Sequence, residues 1–595
     1  MNWLVGYVSG IAASVVSAVL AGFILKTINR DVALLSLCIG LIVFILIVIR
    51  YKNLSFNFKR SDFNFWAIFV IISFSIISLR AFLWLIYKTD DSIKILSPNN
   101  LGDISLHISL IKYFSNSPRW WPENNIVSNE IIRYPVGMDL FNSLLVFCGF
   151  DLFKSLIWVG LLGAAVTCLC LLLWGGSFTL AGFLFNGGFA GFQFFSLLVF
   201  KDYQIDLAWK NIFLTMFITQ RGLLYAIPAG LLLLTSWRQR FFSNDKTSDS
   251  KFILPLWIEV LLYSSMPIFH AHTFIILSLF LFIWLLFASW GNRSHIIRVF
   301  IFSLPFALFL LSLMVNPSKA SSMIHLKPGW MQNKENFLSF WLYNFGIFWP
   351  LVLLLGLELP GIPALMKFNL QETKERFKKD RLIVISSIFL FILFLNVMAA
   401  PWEWDNCKIL IWPYLILLPY IWKNLISAWD DHYKYITCFL LFFSGFICVF
   451  GGFPEIRGYG LTKFSEVAQV EKAVKNLPIE GRFAAFPTFD HPLLYCGKKI
   501  VMGYPGWMWS HGYNTKTIEK KLKKLMLGDE KWKKYAGDLG VRYIFFGKRE
   551  LKEYSESKKP WEEYAIKIAS GDWGEIYDLQ EQGEVNPGKA FQEIK

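Results

Sequence analysis

The sequence predicts an α-helical polytopic membrane protein with about 11–13 spans and a small C-terminal α/β domain. Three observations predict it. Of 595 residues, 55% are hydrophobic and only 17% charged, whereas soluble chains carry about a quarter charged residues. Apolar stretches close to the roughly 20 residues a spanning helix needs recur from residues 3–25 through 32–49, 65–87 and 299–315 to 435–450. Beyond about residue 453 the composition changes to short apolar runs among Lys/Glu-rich helical patterns. A large soluble helical protein is excluded, because the runs are too many and too uniformly apolar.

The first stretch reads as an uncleaved span, since it lacks a basic leader region and its apolar part is long for a signal peptide. The net charge of +15 concentrates in short loops, at 50–60, 237–251 and 374–381. Basic short loops favour the cytoplasmic side, so this charge reads as topology and not as a nucleic-acid surface. The eight cysteines sit mostly inside apolar runs, with no Cys-x-x-Cys and no Cys/His zinc spacing, which excludes a disulfide framework or zinc ribbon.

Placing the basic loops inside orders the map. A transmembrane module, 1–453, carries a long external loop at 89–135, and a soluble domain, 454–595, follows outside the cell membrane. Between 134 and 237 the number of crossings must be odd, yet more apolar candidates are present. The stretch "KDYQIDLAWKNIFLTMFITQRG" (201–222) mixes charge and aromatics and is expected to be broken or re-entrant, which requires burial in protein or a cavity. In the soluble domain "GRFAAFP", "KKIVMGY" and "VRYIFFG" read as strands. "TKTIEKKLKKLML" and "DEKWKKYAGDLG" read as helices, the second closed by a glycine. "AIKIAS" and "GEIYDL" read as a hairpin across "GDWG".

Unusual polar residues gather on the predicted external side. Asp103 and His107 are spaced i, i+4 and share a helical face. A carboxylate there can serve as a general base and an imidazole can orient it; an ordinary interfacial helix would look the same. "IIRYPVGMDL" places Arg133, Tyr134 and Asp139 at a helix start. "ITQRGLLYAIP" places Gln220 and Arg221 between apolar runs, where an arginine is expensive unless it faces a cavity or an anion. "MPIFHAHTF" puts His270 and His272 at a junction of two helices; two apart, they do not share a face, which disfavours a common metal. "PWEWDNCK" packs Trp402, Glu403, Trp404, Asp405, Asn406 and Lys408 together, where aromatic faces suit sugar rings and lysine suits a phosphate. "GYPGWMWSHGYN" sets Trp507, Trp509 and His511 in what reads as a Gly-rich loop.

Several of these pieces carry a resemblance. "LGDISLHISLIKYF" followed by "IIRYPVGMDLFNSLLV", then "TQRGLLYAIP", "PIFHAHTF", "FWLYNFGIF", "PWEWDNCKIL" and finally "VMGYPGWMWSHGY" with "LGVRYIFFG" resemble, in order, the GT-C superfamily of integral-membrane glycosyltransferases. The bacterial members related to protein mannosyltransferases and aminoarabinose transferases are the ones it looks like. The resemblance implies a GT-C-like fold in the bacterial inner (cytoplasmic) membrane, with the C-terminal domain extracytoplasmic. It implies an inverting hexosyl or pentosyl transferase. The donor would be a sugar on a polyprenyl phosphate held among membrane lipid, the acceptor a glycan, lipid or protein; nucleic acid plays no part.

Asp103 takes the place of the catalytic base under that resemblance. Arg221, Lys408 and Arg133 would meet the donor phosphate. His107, Tyr134, Asp139, Gln220, His270, His272, Trp404, Asp405 and Asn406 would shape the sugar and acceptor sites, with Trp509 and His511 contributing from the soluble domain. Gly102–Asp103 stands where such enzymes often carry Asp-Glu or Asp-x-Asp, so use of a divalent metal is left open and no other cofactor is implied. Two other classes fit the same composition: a transporter or flippase for a lipid-linked sugar, and a non-catalytic glycan-binding membrane protein.

Overall fold

The computed structural model describes residues 1–595 except 52–63, 243–251, 288, 316–323, 334, 359–370, 454–457 and 581–595, with backbone alone for 371–379. The basic stretches 50–60, 237–251 and 374–381 therefore fall largely outside the described residues. The chain divides into two compact units, one of Met1–His107 with Arg133–Leu461, the other of Ile108–Ile132 with Thr462–Lys595.

The first unit is helical, and the chain is a polytopic membrane protein. Among the described residues seven helices are long and apolar enough to cross a bilayer, running from Asn2–Leu25 to Asp431–Gly451. The pair Phe337–Phe345 and Phe348–Glu358, bent by 103°, makes an eighth if counted as one span, and Gly137–Phe147, Leu256–Phe269 and Ala271–Phe287 are shorter apolar helices. These helices are apolar all round, as lipid exposure demands, so burial rather than composition tells inside from outside. The Arg30–Arg50 helix has only 28% of its apolar window buried, and Glu403–Ala428 has 83%, which makes the latter the central element of the unit.

The helices are interrupted where the sequence supplies a break. Gly176, at φ 72°, kinks the helix Leu152–Phe185 in a left-handed conformation that only glycine adopts freely. The stretch expected to be broken, 201–222, is irregular through residue 211 and then forms a single π-helical turn, Phe213–Phe217. Buried amides satisfy its backbone. Asn186 Oδ1 accepts from the Ile212 N–H at 2.7 Å, Gln204 Oε1 from Asn211 at 2.8 Å, and Asn344 Oδ1 from Trp209 at 2.9 Å. Asn186, Gln204, Asn211 and Asn344 are all fully buried, so the polar side chains replace the water that is absent around them.

The second unit is a five-stranded mixed sheet flanked by helices. Its order is Lys499–Ile500, Arg482–Ala484, Val541–Gly547, Gly574–Asp578, Ile566–Gly571. Arg482–Ala484 runs parallel to both neighbours, and the last two strands form the expected antiparallel hairpin. The two expected helices are Lys516–Met526 and Trp532–Asp538, the latter followed by Gly540 at φ 63°.

Two sequence expectations change here. The unit boundary falls at 461/462 instead of 453/454, and the unit also takes in 108–132, which the sequence assigned to a free external loop. Residues 125–128 exchange backbone hydrogen bonds with 500–503, the Ile500 N–H to the Asn125 carbonyl at 2.9 Å and the Gly503 N–H to Ile126 at 2.8 Å. Extended backbone next to a short edge strand is captured because the edge presents unpaired N–H and C=O groups. Nor is "GYPGWMWSHGYN" a loop throughout: Pro505–Ser510 is a short helix that buries Trp507.

Candidate functional site

Five helices of the first unit begin at one place. The helix Asp103–Ser115 opens with Asp103, Gly137–Phe147 carries Asp139 in its first turn, and Leu223–Phe242 is preceded by Thr219, Gln220 and Arg221. Ala271–Phe287 starts after His270, and Cys407–Asn424 starts between Asp405 and Lys408. Close approach of these starts depends on small residues. A Cβ on Gly222 would lie 2.0 Å from the Phe269 carbonyl oxygen, and one on Gly137 would lie 2.6 Å from the Phe269 ring. Only glycine lets the Arg221 turn and the Asp139 helix reach the His270 junction.

At the centre is a buried ion pair that crosses between elements. His107 Nδ1 lies 2.9 and 3.0 Å from the two carboxylate oxygens of Asp139, and its Nε2 lies 3.2 Å from the Thr219 carbonyl oxygen. His107 is 2% exposed and Asp139 1%. Both ring nitrogens face pure acceptors, so both must carry a hydrogen, and the imidazolium form is the one that satisfies the geometry. A neutral ring would set a lone pair against a lone pair.

Asp103, one helical turn before His107, sits partly accessible in the same knot. Burial pushes its carboxyl above the usual range. The charges of His107 and Lys408 and the Thr219 hydroxyl pull it back, and Asp405 pushes it up again. Lys408 bonds Asp405 at 2.8 Å, with both side chains mostly buried. The Tyr134 ring lies 6.1 Å from that of His107.

Arg221 is the costliest residue in the cluster. It is 1% exposed, and Nη2 donates to the Leu156 carbonyl at 3.2 Å. Its Nε and Nη1 have no hydrogen-bond partner among the described residues, although the Asp139 charge lies within electrostatic reach. His270 is similar: Nδ1 is bonded to Thr273, while Nε2 is buried and has no partner among the described residues. Its ring is 5.6 Å from that of His272, and both imidazoles feel the Lys408 charge.

The fixed charges nearly cancel. Asp103, Asp139 and Asp405 oppose His107, Arg221 and Lys408. What remains is the partial positive charge of five helix N-termini, which favours an anion. No group of three or more His, Cys, Asp or Glu side chains suited to a metal occurs among the described residues.

The structure thus gathers Asp103, His107, Tyr134, Asp139, Arg221, His270, His272, Asp405 and Lys408 from five separate stretches. Several of the expected ligands have partners within the protein. Both Asp139 oxygens face His107. Asn406 is bonded at both ends of its amide. Its Nδ2 donates to the Phe394 and Val397 carbonyls at 3.0 and 2.9 Å, and its Oδ1 accepts from the Ala399 N–H at 2.9 Å. Trp404 is 6% exposed, with Trp402 against it and Lys210 Nζ 5.5 Å from its ring centroid, so no open face is left to stack on a sugar.

Arg133 donates to the Val315 carbonyl at 3.2 Å, at the end of the helix Trp290–Met314. Gln220 stays partly accessible beside Arg221. Trp509, 53% exposed, and His511 belong to the second unit. Sequence reasoning missed Thr219 and Thr273. Both stood inside stretches that drew notice, but hydroxyl residues in apolar helices carry no signal until their partners are known.

No protein-family model matches this chain, and no curated protein matches it. Among solved structures, it is similar to the archaeal oligosaccharyltransferase AglB from Archaeoglobus fulgidus in complex with an inhibitory peptide and a dolichol-phosphate. Identity there is 12%, with a TM-score of 0.45 over 88% of this chain and 75% of that one. It is also similar to an Archaeoglobus fulgidus oligosaccharyltransferase in the apo form, at 10% identity and a TM-score of 0.42 over 82% of this chain and 70% of that one.

Proposed function

We propose that the protein is a GT-C-like membrane glycosyltransferase that moves a sugar from a polyprenyl-phosphate donor to an extracytoplasmic acceptor. The observation that carries this reading is the coexistence, at five helix starts, of a partly accessible carboxylate and a buried guanidinium with two nitrogens left without partners among the described residues. A buried guanidinium held by one carbonyl alone is unfavourable by roughly several kcal/mol unless something anionic completes it. A phosphate fits its planar fork, and the N-termini around it reinforce the attraction.

The chemistry follows from the charges. An acceptor hydroxyl or amine attacks the anomeric carbon of the donor sugar. The new bond to carbon forms as the bond to the phosphate oxygen breaks, which inverts the centre. Asp103 takes the acceptor's proton, and the phosphate keeps the electron pair. Arg221 and Lys408 stabilise that developing charge, so no separate acid is required. His107, fixed by Asp139, holds a positive charge next to Asp103 and favours its ionised form. Tyr134, His272 and Gln220 border the sugar.

The test is transfer of a labelled sugar from a polyprenyl-phosphate donor in membranes containing the intact protein. Asp103→Asn should lower transfer by about 10³-fold with unchanged expression and unfolding temperature. Full activity in that variant overturns the assignment of the base. Flux of the lipid-linked sugar across liposomes without transfer to any acceptor overturns the enzyme class in favour of transport.

A further inference from the structure

His270 closes the helix Met266–Phe269 and opens Ala271–Phe287, with extended backbone at φ −161° and ψ 97°. Its ring is held by a three-member chain. Trp412 Nε1 is a pure donor and gives its hydrogen to Thr273 Oγ1 at 2.9 Å. The Thr273 hydroxyl lies 2.7 Å from His270 Nδ1, and the Thr273 backbone N–H donates to the same nitrogen at 3.2 Å. Nδ1 is therefore an acceptor, and the ring's one hydrogen is on Nε2. His270 is 5% exposed, and that Nε2–H has no partner among the described residues. It stands at the N-terminus of a 17-residue helix, within reach of the Lys408 charge. A buried donor of this kind costs free energy unless a ligand accepts it.

We infer that His270 is a tautomer-locked hydrogen-bond donor to a phosphate ester oxygen, with Thr273 and Trp412 as the positioning residues that set the lock. The inference rests on the proposed lipid-phosphate donor and reassigns His270 from sugar contact to phosphate contact. Two features make the acceptor a phosphate and not a sugar hydroxyl. The charge of Lys408 and the N-terminus of the helix Ala271–Phe287 both favour an anion. A neutral imidazole also adds a donor without adding a fixed charge, so the site releases its product more readily than a fourth cation would allow. The Thr273 hydroxyl both accepts from Trp412 and donates to Nδ1. Without it the longer bond from the Thr273 backbone N–H, at 3.2 Å, alone keeps Nδ1 an acceptor, so the lock is weakened and not abolished.

The experiment measures binding of a short-chain polyprenyl phosphate, the uncharged polyprenol, phosphatidylglycerol and inorganic phosphate to the full-length protein in nanodiscs. His270→Phe should weaken polyprenyl-phosphate binding by about tenfold and Thr273→Val by a smaller factor, since its backbone N–H stays on Nδ1; both should leave polyprenol binding unchanged. His270→Gln, which keeps one N–H donor, should stay within about threefold of the unaltered protein. An equal loss for inorganic phosphate supports the donor and assigns the site to phosphate itself; an equal loss for phosphatidylglycerol assigns it to ordinary headgroups. Equal weakening of polyprenol and polyprenyl phosphate means that His270 only packs against the chain and overturns the inference. Unchanged binding in His270→Phe, when the unaltered protein binds, overturns the inference alone. Failure of the unaltered protein to bind polyprenyl phosphate overturns the proposed donor as well.

Discussion

Each unit buries one arginine almost completely, and the two are treated in opposite ways. Arg482, 3% exposed, lies in the second strand of the five-stranded sheet of the α/β unit. Its Nη1 donates to the Asn124 and Ile500 carbonyls at 3.1 and 2.8 Å, and its Nη2 to Glu123 Oε2 and to the Asn124 carbonyl, both at 3.1 Å. Arg221, 1% exposed, makes one hydrogen bond and leaves two nitrogens without partners. The same contrast holds for buried histidines beside carboxylates. In the α/β unit Glu550 accepts from His491 Nε2, the Phe486 N–H and the Gly547 N–H at 3.1, 2.8 and 3.0 Å. In the helical unit the His107–Asp139 pair is satisfied, whereas His270 Nε2 has no partner among the described residues. Under the proposed function the satisfied buried charges are architecture and the unsatisfied Arg221 nitrogens await a ligand.

Substitutions should separate the two kinds. The largest stability effect belongs to Arg482. Removing it as Arg482→Ala takes the donor from the Asn124 and Ile500 carbonyls and leaves Glu123 held by Lys499, and should destabilise the α/β unit by about 2–5 kcal/mol, at roughly 1–3 for each orphaned carbonyl. Hydrogen exchange in the strands Arg482–Ala484 and Val541–Gly547 would report it. Slow exchange in the variant would break the comparison.

Arg221→Met should do the reverse. Sugar transfer should fall by about 10²–10³-fold while the unfolding temperature stays level or rises, since a partnerless buried charge has been replaced by an apolar side chain of similar length. A collapse in stability with activity retained per folded molecule would make Arg221 structural.

Glu550→Gln should cost about 1–3 kcal/mol and change the acid sensitivity of its unit. Burial alone would raise the Glu550 carboxyl, but the His491 hydrogen bond and charge and the Phe486 N–H outweigh it and hold it below the usual range. A carboxyl lowered on folding contributes stability that is present above its unfolded pKa and is lost as pH falls through the folded one. The variant should lose that dependence, as urea midpoints followed across the acid range would reveal.

The smallest effect is a displaced pH profile. Asp103 works as a base only when ionised, and its carboxyl is raised by burial, so activity should fall on acidification at a pH above the ordinary carboxylate value of about 3.9. Asp139→Asn weakens the hold on the His107 imidazolium and so removes the cation nearest Asp103. Lys408, Asp405, the Thr219 hydroxyl and Tyr134 remain as its other polar neighbours. The acid limb of the transfer rate should move to higher pH with little change in donor KM. A limb that does not move would detach the His107–Asp139 pair from the base.

Much of this was legible in the residues. The apolar runs marked the helices, because a chain in lipid must satisfy its backbone within itself. Polar islands in those runs marked the site, because buried polarity is too unfavourable to persist without cause. The broken stretch 201–222 could be foreseen from Lys201, Asp202 and Asp206 alone, though not the amides of Asn186 and Asn344 that stabilise it.

Pairing across distance was decided only by the tertiary structure. Asp139 looked like a ligand until it met His107, 32 residues earlier, and Asn406 until its amide closed on the strand Val397–Ala399. Residues 125–128 read as loop because their strand-like partners lie at 500–503. Arg482 and Arg221 are indistinguishable as letters in apolar surroundings. Local composition determined where polar groups would be buried, since that depends on the neighbouring residues in the chain. Which of them would be satisfied depended on acceptors brought from elsewhere, and that geometry exists only once the helices and strands have packed.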